Sequence, residues 1–338
     1  MERSENKVII IAEAGVNHNG DLELARRMVY AAKEAGADYV KFQTAVPELV
    51  ISTFAPKAEY QKETTGSEQS QLEMCKAIHL PLADYAGLKE LCDSVGIGFM
   101  STPFDLVSID CLAAIGMDYW KIPSGEITNL PYLRKIASKG GRVILSTGMS
   151  TLDEVEAAVE VLEKGGIGRA DITLLHCITQ YPTPYDAVNL RAMNALRTLG
   201  CGGVGYSDHT VGVEVPVAAV AMGAKVIEKH FTLDKNMPGP DHRASLSPDE
   251  LKTMVAMVRN IEASLGTGEK TVADAERSNI EVARKSIVAA RDIKRGEILT
   301  EENITVKRPG NGVSPMLWDS VIGTPAVADF AYDELIRI

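Results

Sequence analysis

The chain is poor in cysteine and has none in a metal or redox spacing. Its five residues, Cys75, Cys92, Cys111, Cys177 and Cys201, are odd in number and form no CxxC pair. A disulfide framework and a zinc site are thereby excluded, and a reducing compartment is expected. A Lys/Arg cluster is also lacking. The 35 basic residues are outnumbered by 46 acidic ones, for a formal charge of -11, so a nucleic-acid surface, which needs concentrated positive charge, is excluded. Residues 1–7 carry both signs of charge, and the apolar run that follows is interrupted by Glu13. Such a start is neither a signal peptide nor a membrane span, and a cytoplasmic protein is expected. Solenoid repeats and low-complexity tracts are absent as well.

What the sequence does contain is a rhythm. Eight short apolar runs, at 8–13, 39–43, 97–102, 119–126, 143–147, 172–179, 204–209 and 226–230, each end in a polar or ionisable residue. Helical periodicity fills the intervals, as at 22–35, 84–95, 130–137, 152–162 and 248–265. Strand and helix alternating in this way predict an α/β fold, a TIM (β/α)8 barrel, whose strand carboxyl ends converge on one rim.

The length of 338 residues leaves room for more than one barrel of about 250 residues. We expect a catalytic barrel over 1–266, a linker over 267–283 and a small domain over 284–338 with short β-like pieces at 286–290, 304–307 and 326–328. A piece this short buries little core and should lean on something else. The long connection 44–82 is expected to act as a lid, with helical segments at 58–63 and 70–78.

Alternation of strand side chains puts Ser207 and His209 on one face of the seventh run, and Glu228 and His230 on one face of the eighth. Neighbouring strands would bring the two imidazoles together at the rim, where they could hold a divalent metal; either one alone is more simply a hydrogen-bonded histidine. Lys41 and Lys121 lie within apolar runs. A buried ammonium needs an anionic partner. Glu13 or Glu126 could serve, or a substrate carrying carboxylate and phosphate. A Schiff-base aldolase also needs a barrel lysine, but the sixth run ends His176-Cys177-Ile178-Thr179 without one, which favours charge anchoring. Glu13, Glu126 and Asp241 are candidate general acids or bases. The turns 123–126 and 146–149 offer hydroxyls and amides to anions.

Together these strings are more specific than their parts. IAEAGVNHNG (11–20), VKFQT (40–44), STPFD (101–105), KIPSGE (121–126), YSDHT (206–210), EKHFT (228–232) and PGPDH (238–242) closely resemble the sialic acid synthase family, and KRPGNG (307–312) looks like the turn of that family's antifreeze-like, or SAF, domain. The resemblance implies condensation of phosphoenolpyruvate with an N-acylated hexose such as N-acetylmannosamine, giving N-acetylneuraminate and phosphate. It implies manganese, or magnesium, held by His209 and His230. Lys41, Lys121, Ser124, Ser146 and Ser207 would hold phosphoenolpyruvate, and Glu126 would handle the proton of the attacking water. Glu13, Gln43 and Asp241 fall near the sugar hydroxyls and metal, Thr102 joins the substrate-binding set, and Tyr181 matches a sugar-site aromatic. Arg308 would reach the sugar's N-acyl group from the partner in a domain-swapped homodimer.

One departure bears on the sugar. Family members often carry Asn after His-Cys, where this chain reads Ile178-Thr179-Gln180. A legionaminic acid synthase, acting on 2,4-diacetamido-2,4,6-trideoxymannose, is therefore the alternative, because a sugar lacking its 6-hydroxyl needs fewer polar partners. A carbohydrate-binding protein without activity is the reading from another class. Against it stand Glu13, Lys41, Lys121, Glu126, His209 and His230, all present together.

Overall fold

The computed structural model describes residues 7–57 and 70–338. Its chain divides into two compact units, Met1–Gly266 and Thr267–Ile338. The expected helix at 58–63 lies outside the described residues.

The first unit is a parallel barrel of eight strands: β1 Ile9–Gly15, β2 Tyr39–Thr44, β3 Gly98–Pro103, β4 Tyr119–Ile122, β5 Arg142–Ser146, β6 Ile172–His176, β7 Gly203–Asp208 and β8 Val226–His230. They pair in the order β3-β2-β1-β8-β7-β6-β5-β4, and β3 lies beside β4 to bring the ring nearly to closure. Each apolar run of the sequence supplies one strand.

The outer helices form where apolar periodicity meets good caps. In α1, Leu22–Ala35, the Asp21 carboxylate accepts from the amides of Glu23 and Leu24, Gly36 ends the helix in a left-handed conformation, and Ala25, Met28, Val29, Ala32 and Ala35 are buried. The helices Leu152–Lys164 and Pro248–Ser264 begin with capping boxes, Thr151 with Glu154 and Ser247 with Glu250. In the connection after β2, Gln71–Ile78 is a helix with its own capping box of Ser70 and Glu73. Among the described residues, no helix is long and apolar enough to cross a membrane.

Two apolar cores result. One lies between strands and helices. The other fills the lower barrel with Ile11, Tyr39, Met100, Tyr119, Ile144, Leu175 and Val226. Above that plug, two residues further along the strands, the interior turns polar.

The second unit pairs Ser286–Ala289 with Ile304–Lys307 in antiparallel fashion. Two expectations, the strand at 326–328 and the small core, are corrected here. Residues 326–328 form no strand but a bend between isolated bridges, Ile298 with Pro325 and Ile293 with Phe330. The stretch 267–283 belongs to the second compact unit and includes the helix Arg277–Ala283. This unit also has a core of its own, built from Ile287, Ala289, Ile293, Leu299, Ile304, Val321, Ala326, Phe330 and Ile336. Short apolar residues scattered among turns converge there through bridges that periodicity does not reveal.

At the amino-terminal end of the barrel, Asp38 ties three elements together. Its carboxylate accepts from the Ile10 amide (2.9 Å), Lys7 Nζ (2.6 Å) and Arg259 Nη2 (2.6 Å). Burial raises its proton affinity, but the Lys7 and Ile10 hydrogen bonds and the charges of Arg259 and Lys7 outweigh that and hold the carboxyl below its ordinary 3.8. Asp38→Asn should lower the unfolding free energy by about 1.5–3 kcal/mol in chemical denaturation. Because the folded pKa is depressed, the wild-type advantage is complete above the unfolded value near 3.8 and is lost as pH falls towards the folded one.

Candidate active site

The carboxyl ends of the strands and the loops that follow them enclose a cavity of about 300 Å³, within the range of small-molecule sites. On its floor four buried charges meet. Lys41 Nζ lies 2.6 Å from Glu13 Oε2 and 3.6 Å from Glu228 Oε2, and donates to Thr102 Oγ1 at 3.1 Å. Lys121 Nζ lies 3.5 Å from Glu228 Oε1 and donates to Ser146 Oγ at 2.8 Å. Ser207 Oγ donates to Glu228 Oε1 (3.0 Å), and Gln43 Nε2 to Glu13 Oε1 (3.1 Å).

These contacts set the charge of the floor. Burial raises the proton affinity of Glu13; Lys41 opposes this, the nearby Glu228 carboxylate reinforces it, and the net shift is upward. Burial also disfavours the Glu228 carboxylate, but Lys121 and Lys41 on either side, with the Ser207 hydrogen bond, hold it below its ordinary value. Lys41 keeps its proton because Glu13 and Glu228 outweigh its burial. For Lys121 burial dominates, Glu228 offsets it only in part, and Lys41 repels it. Two lysines and two carboxylates thus share one buried layer in which Lys41 holds its proton and Glu228 its charge, groups suited to the recognition of an anion.

His209 and His230 stand side by side at the ends of β7 and β8, ring centroids 5.5 Å apart. Burial, outweighing the Ile178 carbonyl and the carboxylates of Asp208 and Glu228, lowers His209 to about 4. Burial, with repulsion from His209 and Lys41, holds His230 well below its usual value. Both rings are neutral near pH 7. His209 Nδ1 donates to the Ile178 carbonyl (2.6 Å), which leaves Nε2 with a free lone pair, and His230 Nδ1 is buried without a hydrogen-bond partner. The rings have the donor chemistry of a metal site. Among the described residues no cluster of three or more His, Cys, Asp or Glu could hold a metal, so the pair fits only an open site completed by water or substrate.

Behind the histidines, on the outward faces of the same strands, Lys229 and Asp208 form a fully buried ion pair, and Lys229 also donates to the Thr210 carbonyl. Tyr181 packs on His209 with ring centroids 4.1 Å apart. Asp241 is buried at the cavity wall, and its carboxyl is pushed up by that burial to about 6.

Of the residues singled out from the sequence, Glu13, Lys41, Gln43, Thr102, Lys121, Ser124, Ser146, Tyr181, Ser207, His209, His230 and Asp241 all line this one cavity. Glu126 is not among its lining residues. It is half-buried, its Oε2 accepting from Asn129 Nδ2 at 2.6 Å, and burial raises its proton affinity. Arg308 lies in the second unit, exposed, with Nε donating to the Ala283 carbonyl at 3.2 Å. Glu228, the shared partner of both lysines, carried no assigned role in the sequence reading; its alternation with His230 was the available signal. Met74, Cys75, Ile78 and His79 also line the cavity, and no local signal points to them because a connection outside the barrel rhythm brings them there.

A NeuB family profile matches residues 28–270, and a SAF domain profile residues 284–338. The chain belongs to the NeuB family. Over 331 residues it is 52% identical to the N,N'-diacetyllegionaminic acid synthase of Campylobacter jejuni, covering 98% of this chain and 99% of that one. Identity to the synthase of the same name from Legionella pneumophila is 49%, over 93% and 89% of the two chains. The crystal structure of the N-acetylneuraminic acid (sialic acid) synthetase of Leptospira borgpetersenii superposes with a TM-score of 0.71 at 36% identity, covering 82% of this chain and 91% of that one.

In this NeuB-family site the turn after β5 is pinned against the turn after β4. The Gly148 amide donates to Ser124 Oγ at 2.9 Å, and a Cβ at Gly148 would stand 2.7 Å from Thr179 Cγ2, 2.9 Å from Ser124 Oγ and 3.0 Å from Cys177 Sγ. Gly148→Ala should cost about 1–3 kcal/mol of stability through overpacking. Gly125→Ala, with nothing within 4 Å of the added carbon, should be close to neutral in the same denaturation series.

Proposed function

We propose that this NeuB-family enzyme condenses phosphoenolpyruvate with 2,4-diacetamido-2,4,6-trideoxymannose in the cytoplasm, giving N,N'-diacetyllegionaminate and inorganic phosphate. The observation that carries the chemistry is the buried floor, where Lys41 and Lys121 meet Glu13 and Glu228 beside the paired imidazoles of His209 and His230. The choice of sugar is supported by the identities of 52% and 49% to two N,N'-diacetyllegionaminic acid synthases, against 36% to a sialic acid synthetase.

Lys41 and Lys121 hold the carboxylate and phosphate of phosphoenolpyruvate, with the hydroxyls of Ser124, Ser146 and Ser207 around them. Manganese or magnesium at His209 and His230 would supply Lewis-acid polarisation of the sugar aldehyde. The C3 carbon of phosphoenolpyruvate forms the new bond to the aldehyde carbon, water adds to C2, and the C2–O bond breaks to release phosphate. Glu13, held towards its protonated form inside the cavity, exchanges the proton at this step; Glu126 acts only from outside the lining. Gln43, Thr102, Tyr181 and Asp241 position the sugar. Arg308 is assigned to an N-acyl group of the sugar, supplied within a domain-swapped homodimer.

The test is phosphate release from phosphoenolpyruvate. It should require both added manganese and sugar, with a larger kcat/KM for the 2,4-diacetamido sugar than for N-acetylmannosamine. The opposite preference returns the chain to N-acetylneuraminate synthesis. No release with either sugar favours a carbohydrate-binding protein. Arg308→Ala should raise KM for the sugar by about tenfold or more, the worth of a charge-assisted hydrogen bond, and leave KM for phosphoenolpyruvate nearly unchanged. Equal losses for both substrates count against the Arg308 assignment.

A further inference from the structure

The segment that carries Asp241 is tied to the turn after β1. Pro240 and Asp241 reach the cavity lining from the connection that follows β8, whereas Asn19 and His242 are not among the lining residues. Burial is the one cause of the raised proton affinity of Asp241, and among the described residues no hydrogen bond or charge offsets it. With no partner gripping the carboxylate, its place in the cavity wall is set by the backbone that carries it. Residues 233–240 form turns and bends, so the restraint that a helix or sheet supplies elsewhere has to come from side chains.

That backbone is fixed at both ends. At the far end Ser245 Oγ donates to the Asp241 carbonyl at 2.7 Å and accepts from Asn17 Nδ2 at 2.9 Å, and the same amide donates to the Phe231 carbonyl at 2.9 Å. At the near end Asn19 Nδ2 donates to the Pro238 carbonyl at 2.8 Å. This leaves Asn19 Oδ1 as an acceptor, 3.3 Å from His242 Nε2. The buried His242 ring therefore carries its proton on Nε2, and its Nδ1 accepts from Thr232 Oγ1 at 2.7 Å. Burial lowers its proton affinity, against the Asp234 carboxylate and the Pro238 carbonyl, so the ring is neutral near pH 7. Asn19 holds a left-handed φ of +51°, which asparagine tolerates. Gly239 lies at φ +152°, and a Cβ there would stand 2.7 Å from His242 Cδ2 and 2.9 Å from Asn19 Oδ1. The contact between Asn19 and His242 leaves no room for a side chain at 239.

We propose that Asn19 and His242 are positioning residues that act through Asp241, fixing the backbone of 238–241 so that its carboxylate meets the sugar. This inference rests on the proposed condensation, in which Asp241 positions that substrate. Misplacing a substrate-positioning group by about 1 Å can cost on the order of a hundredfold, so loss of either tie is felt in the sugar and not in phosphoenolpyruvate, which is held by other strands.

The experiment measures kcat and KM for phosphate release, with manganese and the sugar that the wild type prefers, in full-length wild type, Asn19→Gly, His242→Ala and His242→Gln, each alone and combined with Asp241→Ala. Asn19→Gly deletes the amide and suits φ +51°; His242→Gln keeps an N–H donor for Asn19. Asn19→Gly and His242→Ala should each raise KM for the sugar by about tenfold, the worth of the hydrogen bonds lost, with KM for phosphoenolpyruvate unchanged, and His242→Gln should recover most of the loss. With Asp241→Ala already present, neither should raise KM for the sugar further, because the group they position is gone. Losses that add to that of Asp241→Ala, equal losses for both substrates, or an Asp241→Ala enzyme with the wild-type KM for the sugar overturn the positioning role. Where Asp241→Ala leaves no turnover, the split between the two KM values and the rescue by His242→Gln decide. Asn19, which is only half-buried, carries the test if the His242 variants fail to fold. A wild type that releases no phosphate with either sugar overturns the proposed condensation instead.

Discussion

The interior of the barrel depends on one buried charge system, Lys41 and Lys121 against Glu13 and Glu228. Each ammonium has left water, and only a nearby carboxylate makes that tolerable. Glu228 lies within 3.6 Å of both lysines while Glu13 contacts only Lys41. Burial and the neighbouring Glu228 raise the proton affinity of Glu13, and Lys41 opposes them. Replacing buried ion pairs by hydrocarbon is often neutral or stabilising, so stability alone does not account for four ionisable groups kept together inside the barrel.

The rest of the first unit serves to hold that layer in place. Below it, the plug of Tyr39, Ile144, Leu175 and their neighbours is apolar and buried, so the charges sit between a hydrocarbon layer and an open mouth. Beside it, the Lys229–Asp208 pair is buried on the outer face of the strands that carry Glu228 and His230, Ser207 and His209. Two ionic layers, one inside and one outside the barrel wall, therefore fix the ends of β7 and β8 relative to each other. At the opposite end, Asp38 and Arg259 join the starts of β1 and β2 to the last barrel helix. The candidate site occupies the carboxyl end of the barrel and the Asp38 contacts the amino end, the division usual for this architecture.

Much of this was legible from residue order. The strands followed from apolar runs, and α1 and Pro248–Ser264 from periodicity with a capping residue at the start. The lining role of Ser207, His209 and His230 followed from alternation within short strands. Glu126 shows the limit of that reasoning: alternation ends where β4 stops at Ile122, and the 3-10 turn that follows directs Ser124 inward and leaves Glu126 out of the lining. In the second unit the same limit applies. Its core gathers single residues from turns and isolated bridges, so no periodic segment announces it.

The barrel and the family were readable from residue order alone, because both rest on local pattern: strand period, helix period and contiguous motif. Tertiary structure decided which carboxylate each lysine uses, that Glu228 is shared between both, that Glu13 and not Glu126 lines the cavity, and that the helix Gln71–Ile78 forms one wall of the mouth. Those outcomes are distances between residues far apart in the chain. They are set by how strands close into a ring and how a long connection folds back over it, and no local pattern encodes them.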